Sequence, residues 1–228
     1  MTDQITVDSS PATYPVDAEH GALRMGVVIV FVAGWIVSFM ILNALITNNG
    51  LNVIALLGSF IFTAVFTQQM EKVMRQRWPS GRRITIEGQH ISVGKGNQVQ
   101  EQVDAAKQVN VLLWRFKIKR RARVPKGWFM VACALEQDDG YLPVYTFMSP
   151  EDCDLLKVPN HFTLLTSKKE QPDQTTGKTD LRLAGEQRRL HTAENARWLN
   201  GAEMTKDDFI RYIRQLQEQF PQWMPSVL

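Results

Sequence analysis

The densest chemistry in the chain is the stretch RFKIKRRARVPK, Arg115 to Lys126, in which seven of twelve residues are basic. Cations packed this closely attract phosphate, either on lipid headgroups or on nucleic acid. Strand alternation places Arg115, Lys117 and Lys119 on one face, with Phe116 and Ile118 turned toward a core. Arg120, Arg121, Arg123 and Lys126 follow at the strand end and in a loop. Trp114 and Phe116 are the right residue types to stack on bases, but the adjacent Leu112 and Leu113 mark them as core. Anionic lipid is therefore favoured over nucleic acid. A solvated basic loop that only sets membrane topology fits the same residues.

Other chemistry lacks its partners. Gly177-Lys178-Thr179 ends like a phosphate-binding loop, but Pro172 stands where the first glycine is needed and no strand precedes it. His90, His161 and His191 are scattered without metal-ligand spacing. No GxSxG elbow occurs. Asp138-Asp139 and Asp207-Asp208 suit a turn and a helix cap, and Glu186, Arg188, Arg189 and Glu194 suit a solvated helix. Cys133 and Cys153 form no CxxC pair and suit buried free thiols in a reducing compartment. The expectation is a protein without catalysis, cofactor or metal.

What must position the basic stretch begins far upstream. No residue from Met25 to Phe66 is charged. Met25 to Ile46 is long enough to cross roughly 30 Å of hydrocarbon, and Leu51 to Thr67 is near the lower limit. The polar turn Thr47-Asn48-Asn49-Gly50 joins them, which predicts a tight antiparallel hairpin over residues 25–67. Gly34 and Ser38 on the first helix, and Ala55, Ser59 and Thr63 on the second, predict close packing through small residues. The acidic segment 1–24 does not suit a signal peptide and is expected to be a polar cytoplasmic tail.

Charge then sets orientation. Residues 1–69 sum to −3, residues 70–126 to +10 and residues 127–228 to −4. Lys72, Arg75, Arg77, Arg82 and Arg83 follow the second helix, whereas the turn has no cation, so both termini are expected in the cytoplasm. Residues 68–82 are expected to continue the helix out of the bilayer and end in a linker at Pro79-Ser80-Gly81.

Beyond residue 82 the period changes from helix to strand. Arg83–Glu87, His90–Val93, Val109–Ile118, Trp128–Leu135 and Tyr141–Phe147 are β-rich runs separated by Gly, Asn and Asp turns. Ser149-Pro150 starts a short helix, residues 167–180 have linker composition, and Leu181 to Leu199 suits a helix. Thr205 caps a final helix whose Phe209, Ile213, Leu216 and Phe220 form one apolar stripe. That stripe is expected to cover the open side of the sheet.

The helix pair, the basic segment, strands opening with RRITIEGQHISV and the entry NGAEMTKDDFIRYI to the last helix together resemble bacterial two-helix membrane proteins with a cytoplasmic PH-like domain, of the YcxB-like layout. The resemblance covers roughly residues 25–148 and 200–220, with 149–201 as an insertion. It implies a membrane hairpin plus a cytoplasmic α+β domain over 83–228, mostly antiparallel β, closed by an amphipathic helix over 205–220. It also implies an inner-membrane location, and carries over no catalytic residues.

The expected function is that of an anchored binding or scaffold protein. Its domain would contact anionic lipid or a protein partner, with Arg82, Arg83, Arg115, Lys117, Lys119, Arg120, Arg121, Arg123 and Lys126 meeting headgroups. Homo-oligomers through the hairpin are compatible with this. The alternative is an accessory or assembly subunit of a larger membrane complex.

Overall fold

The computed structural model describes residues 11–17, 21–46, 52–121, 123–166 and 181–223. The turn at 47–50 and the linker at 167–180 lie outside the described residues. The chain forms two compact units: Asp17–Ser80, and Met1–Val16 together with Gly81–Leu228.

The first unit is a helix pair, α1 (Gly21–Ile46) and α2 (Val53–Arg77), both long and apolar enough to cross a membrane. Asn52 caps α2 by accepting from the Ile54 and Ala55 amides, and its own amide donates to Asn43 Oδ1 at 3.0 Å. The helices run antiparallel and meet through small residues. Ala55, Ser59, Thr63 and Thr67, four apart on α2, are buried. Thr63 Oγ1 donates to Ser38 Oγ at 3.4 Å, and a Cβ on Gly34 would sit 3.2 Å from Thr63 Cγ2. Phe60 meets Phe31 and Trp35 edge-on. Large apolar residues such as Val28, Ile36, Met40, Leu57, Ile61 and Phe62 point outward. Hiding small residues and exposing large ones is the reverse of a water-soluble helix pair, and is how helices pack in lipid.

The second unit contains two sheets. One has order β1-β2-β3-β4, all antiparallel, from β1 (Ala12–Pro15), β2 (Arg82–Glu87), β3 (His90–Lys95) and β4 (Gln98–Asp104). The other has order β8-β5-β6-β7-β9, from β5 (Asn110–Lys117), β6 (Phe129–Gln137), β7 (Gly140–Met148), β8 (Thr163–Leu164) and β9 (Ala202–Glu203). Its three central strands are antiparallel, and the short β8 and β9 add parallel to its two edges. Helices α3 (Pro150–Leu155) and α4 (Val158–His161) precede β8, α5 (Leu181–Asn200) precedes β9, and α6 (Lys206–Gln219) closes the unit.

The alternation of β6 explains the layering. Val131, Cys133 and Leu135 enter a core with Ile84, Ile86, Ile91, Val93 and Val103 of the first sheet and Phe209, Tyr212, Ile213 and Leu216 of α6. Met130, Ala132 and Ala134 face the other way, into a second core with Trp114, Tyr145, and Leu190 and Ala193 of α5. A strand covered on both faces has no polar side to show, which is why β6 is one continuous apolar run. Ser149 and Thr205 cap α3 and α6 by accepting from the Asp152 and Asp208 amides, each a contribution of about 1 kcal/mol.

Two elements depart from the sequence pattern. Within the stretch expected to be a tail, Ala12–Pro15 is a strand: it pairs with β2, and the Val16 amide donates to the Arg82 carbonyl at 3.1 Å. The helix pair is therefore an insertion between two hydrogen-bonded strands. β4, QVQEQVD, is polar enough to resemble a loop, because among its residues only Val103 is buried.

Candidate functional site

The basic stretch forms the end of β5 and the β5–β6 loop. The loop is pinned at its base: the Ile118 amide donates to the Trp128 carbonyl at 2.7 Å and the Gly127 amide to the Ile118 carbonyl at 3.2 Å. Gly127 holds φ +94°, a conformation that favours glycine. Arg123 also has a left-handed backbone. Buried Ile118 and half-buried Val124 anchor the loop in the second core. Lys119, Arg120, Arg121, Val124 and Lys126 line an open depression of about 440 Å³. Lys117 is exposed where β5 enters the loop.

Arg121 is the loop's fastening. Its Nη2 lies 3.0 Å from Glu203 Oε2 in β9, and its guanidinium stacks 4.2 Å above the Phe147 ring and 5.9 Å from that of Tyr145. Tyr145 donates its hydroxyl to the same Glu203 oxygen at 3.0 Å. Burial first, and then the Glu203 charge, push the Tyr145 phenol above its ordinary pKa, with Arg121 opposing, so it stays a donor.

The other predicted cations are placed apart from the loop. Arg82, at the start of β2, donates to Gln100 Oε1 at 2.8 Å, to the Asn200 carbonyl at 2.7 Å and to the Gly201 carbonyl at 3.2 Å. Arg83 is exposed and donates to the Gly96 carbonyl at 3.0 Å. Arg115 does not share a solvated face with Lys119: its guanidinium packs 5.3 Å from the Phe129 ring, and its Nε is buried with no hydrogen-bond partner among the described residues. The alternation holds for Phe116 and Ile118, but Arg115 is half-buried, because the face opposite them is covered as well.

The segment Asn200–Glu203 links these groups. Arg82 bonds its first two carbonyls and Arg121 its last side chain. The helix that precedes it shows what residue patterns alone miss. Glu194 of α5 is not a solvated charge. It accepts from the buried Trp114 indole at 3.0 Å and from Arg197 Nε and Nη2 at 2.8 and 2.6 Å, while Arg197 lies 4.7 Å over the Tyr145 ring. The detectable signal was Trp114: a core indole N–H needs an acceptor.

Among the described residues, no three His, Cys, Asp or Glu side chains converge as a metal site would require. Cys133 and Cys153 are free and buried, and burial pushes their thiols up to about 12 and about 11. No family model, curated protein or solved structure matches the chain.

Proposed function

We propose that the chain is a membrane-anchored binding protein whose β domain docks on anionic lipid headgroups through the β5–β6 loop. The observation that carries this reading is the loop itself: five of its cations are exposed, and it is held in shape at its base and by Arg121. A rigid cationic loop loses little entropy on docking, and the helix pair already confines it near the bilayer. Each Lys or Arg near an anionic leaflet contributes about 1 kcal/mol.

A mostly antiparallel β domain closed by a terminal helix is compatible with the PH-like domain that the resemblance implies. β1 and β2 flank the helix pair and bond to each other, so if both helices span, both flanks lie on one side. Lys72, Arg75 and Arg77 in the last turns of α2 support a cytoplasmic side for those flanks by the positive-inside rule.

The test uses the full chain in nanodiscs of phosphatidylcholine alone or equimolar with phosphatidylglycerol. Amide exchange over residues 117–128 should slow in anionic discs, and the protection should vanish at high salt. The variant Lys119→Ser, Arg120→Ser, Arg123→Ser, Lys126→Ser, which spares the structural Arg121, loses about four such contributions and should lower docking about a thousandfold. Exchange that is the same in both lipids would sink the proposal.

A further inference from the structure

We infer that Trp198 and Leu199 form an apolar wedge that enters the headgroup boundary of the bilayer and seats the β domain on it. The inference rests on the docking reading above and adds a second, uncharged contact. α5 buries the stripe Leu190, Ala193 and Arg197 against the sheet. Trp198 and Leu199 fall off that stripe, with 77% and 75% of their surface exposed. A single exposed leucine needs no explanation, but a fixed, adjacent Trp-Leu pair is costly to leave in water, and Trp favours the membrane interface.

The pair is held in position. The Gly201 amide donates to the Arg197 carbonyl at 2.8 Å, and a Cβ on Gly201 would sit 2.4 Å from that oxygen, so the helix must end in this tight turn. Asn200 and Gly201 then hold Arg82, and Glu203 holds Arg121. The acids nearby are engaged: Asn200 donates to Glu101, and Glu203 binds Arg121 and Tyr145. Arg120 and Lys126 are exposed in the loop that Arg121 fastens to Glu203, four residues past Leu199. An apolar pair on the segment that fastens a cationic loop complements an anionic leaflet.

The test places a nitrobenzoxadiazole label on Leu199→Cys in the full chain, where the two native thiols are buried. A reference label goes on Leu155→Cys, which is 81% exposed in α3, before the opposite sheet edge. In equimolar phosphatidylcholine and phosphatidylglycerol discs, the label at 199 should shift to the blue, be quenched by shallow doxyl lipid and resist aqueous iodide. The label at 155 should do none of these. Changing Trp198 to Ser should reduce the doxyl quenching at 199 at least about tenfold in docked fraction. Iodide access at 199 in both lipids overturns the inference. So does shielding from iodide without doxyl quenching, which would mean a protein partner or second copy, and so does equal quenching at 155. The two proposals separate cleanly. Quenching at 199 that survives the four-serine loop variant keeps the wedge and removes the headgroup role; slowed loop exchange without quenching at 199 does the opposite.

Discussion

Replacing Glu194 with alanine removes one carboxylate and strands two buried donors. The Trp114 indole, fully buried, loses its 3.0 Å acceptor. The Arg197 guanidinium, only 7% exposed, loses both of its carboxylate bonds. An orphaned buried donor costs about 1–3 kcal/mol, and breaking a buried ion pair about 3–5 kcal/mol in all. The Glu194 side chain keeps 18% exposure, so water can reach part of the site and the lower end applies, about 3 kcal/mol. With a urea slope of about 1.5–2 kcal/mol per molar, the midpoint should fall by about 1.5–2 M. The assay is urea unfolding of the full chain in mild detergent, followed by tryptophan fluorescence. Glu194→Gln keeps an acceptor for the indole and should fall between wild type and alanine. Glu194→Leu with Arg197→Met leaves no buried charge but still no acceptor for the indole, so it should recover only the part of the loss that comes from the stranded guanidinium. An alanine midpoint within about 0.3 M of wild type, as an exposed i,i+3 pair would give, refutes the reasoning.

The same unfolding assay checks Tyr212, whose ring meets Tyr14 edge-on at 5.9 Å and whose hydroxyl is buried with no partner among the described residues. Tyr212→Phe should be neutral or stabilising by up to about 1 kcal/mol, since it removes an unmet polar group at constant shape. The thiols give a pH prediction. Their pKa is raised from 9.0 to about 12 at Cys133 and about 11 at Cys153, so above pH 9 the unfolded chain releases protons that the folded one keeps. Stability should therefore be unaffected by the thiols below that pH and fall by up to about 1.4 kcal/mol per unit per thiol above it; Cys133→Ala and Cys153→Ala should flatten the slope. In the helix pair, Gly34→Leu must displace Thr63 and should weaken helix association by about 1–3 kcal/mol, measured as energy transfer between labels on α1 and α2 during detergent titration.

What the sequence made legible was whatever a local period or cap specifies. The charge-free runs became α1 and α2, and Ser149 and Thr205 capped as their residue types demand. The stripe Phe209, Ile213, Leu216 and Phe220 is buried. What stayed hidden depended on distant partners. The four residues of β1 carry little strand signal, and their partner lies beyond two helices. Glu194 and Arg197 have the spacing of any surface pair, and only the position of Trp114 distinguishes them. The nine cations read as one surface divide by place: Arg82, Arg115 and Arg121 hold the domain together, Arg83 lies apart on β2, and Lys117 with Lys119, Arg120, Arg123 and Lys126 is exposed at the end of β5 and in the loop.

The pairing of Ala12 with Ile86 has a consequence for synthesis. β1 leaves the ribosome first, but its partner emerges about 70 residues later, roughly 4–15 s at ordinary elongation rates. Throughout that wait both apolar helices are made, while Tyr14 and Val16 have no core to enter. The first sheet cannot close until both helices are complete, so the finished β domain certifies that both have been made. A fragment beginning at Gly81 would lack β1 and leave the edge of β2 unpaired. This protein is best expressed and studied whole.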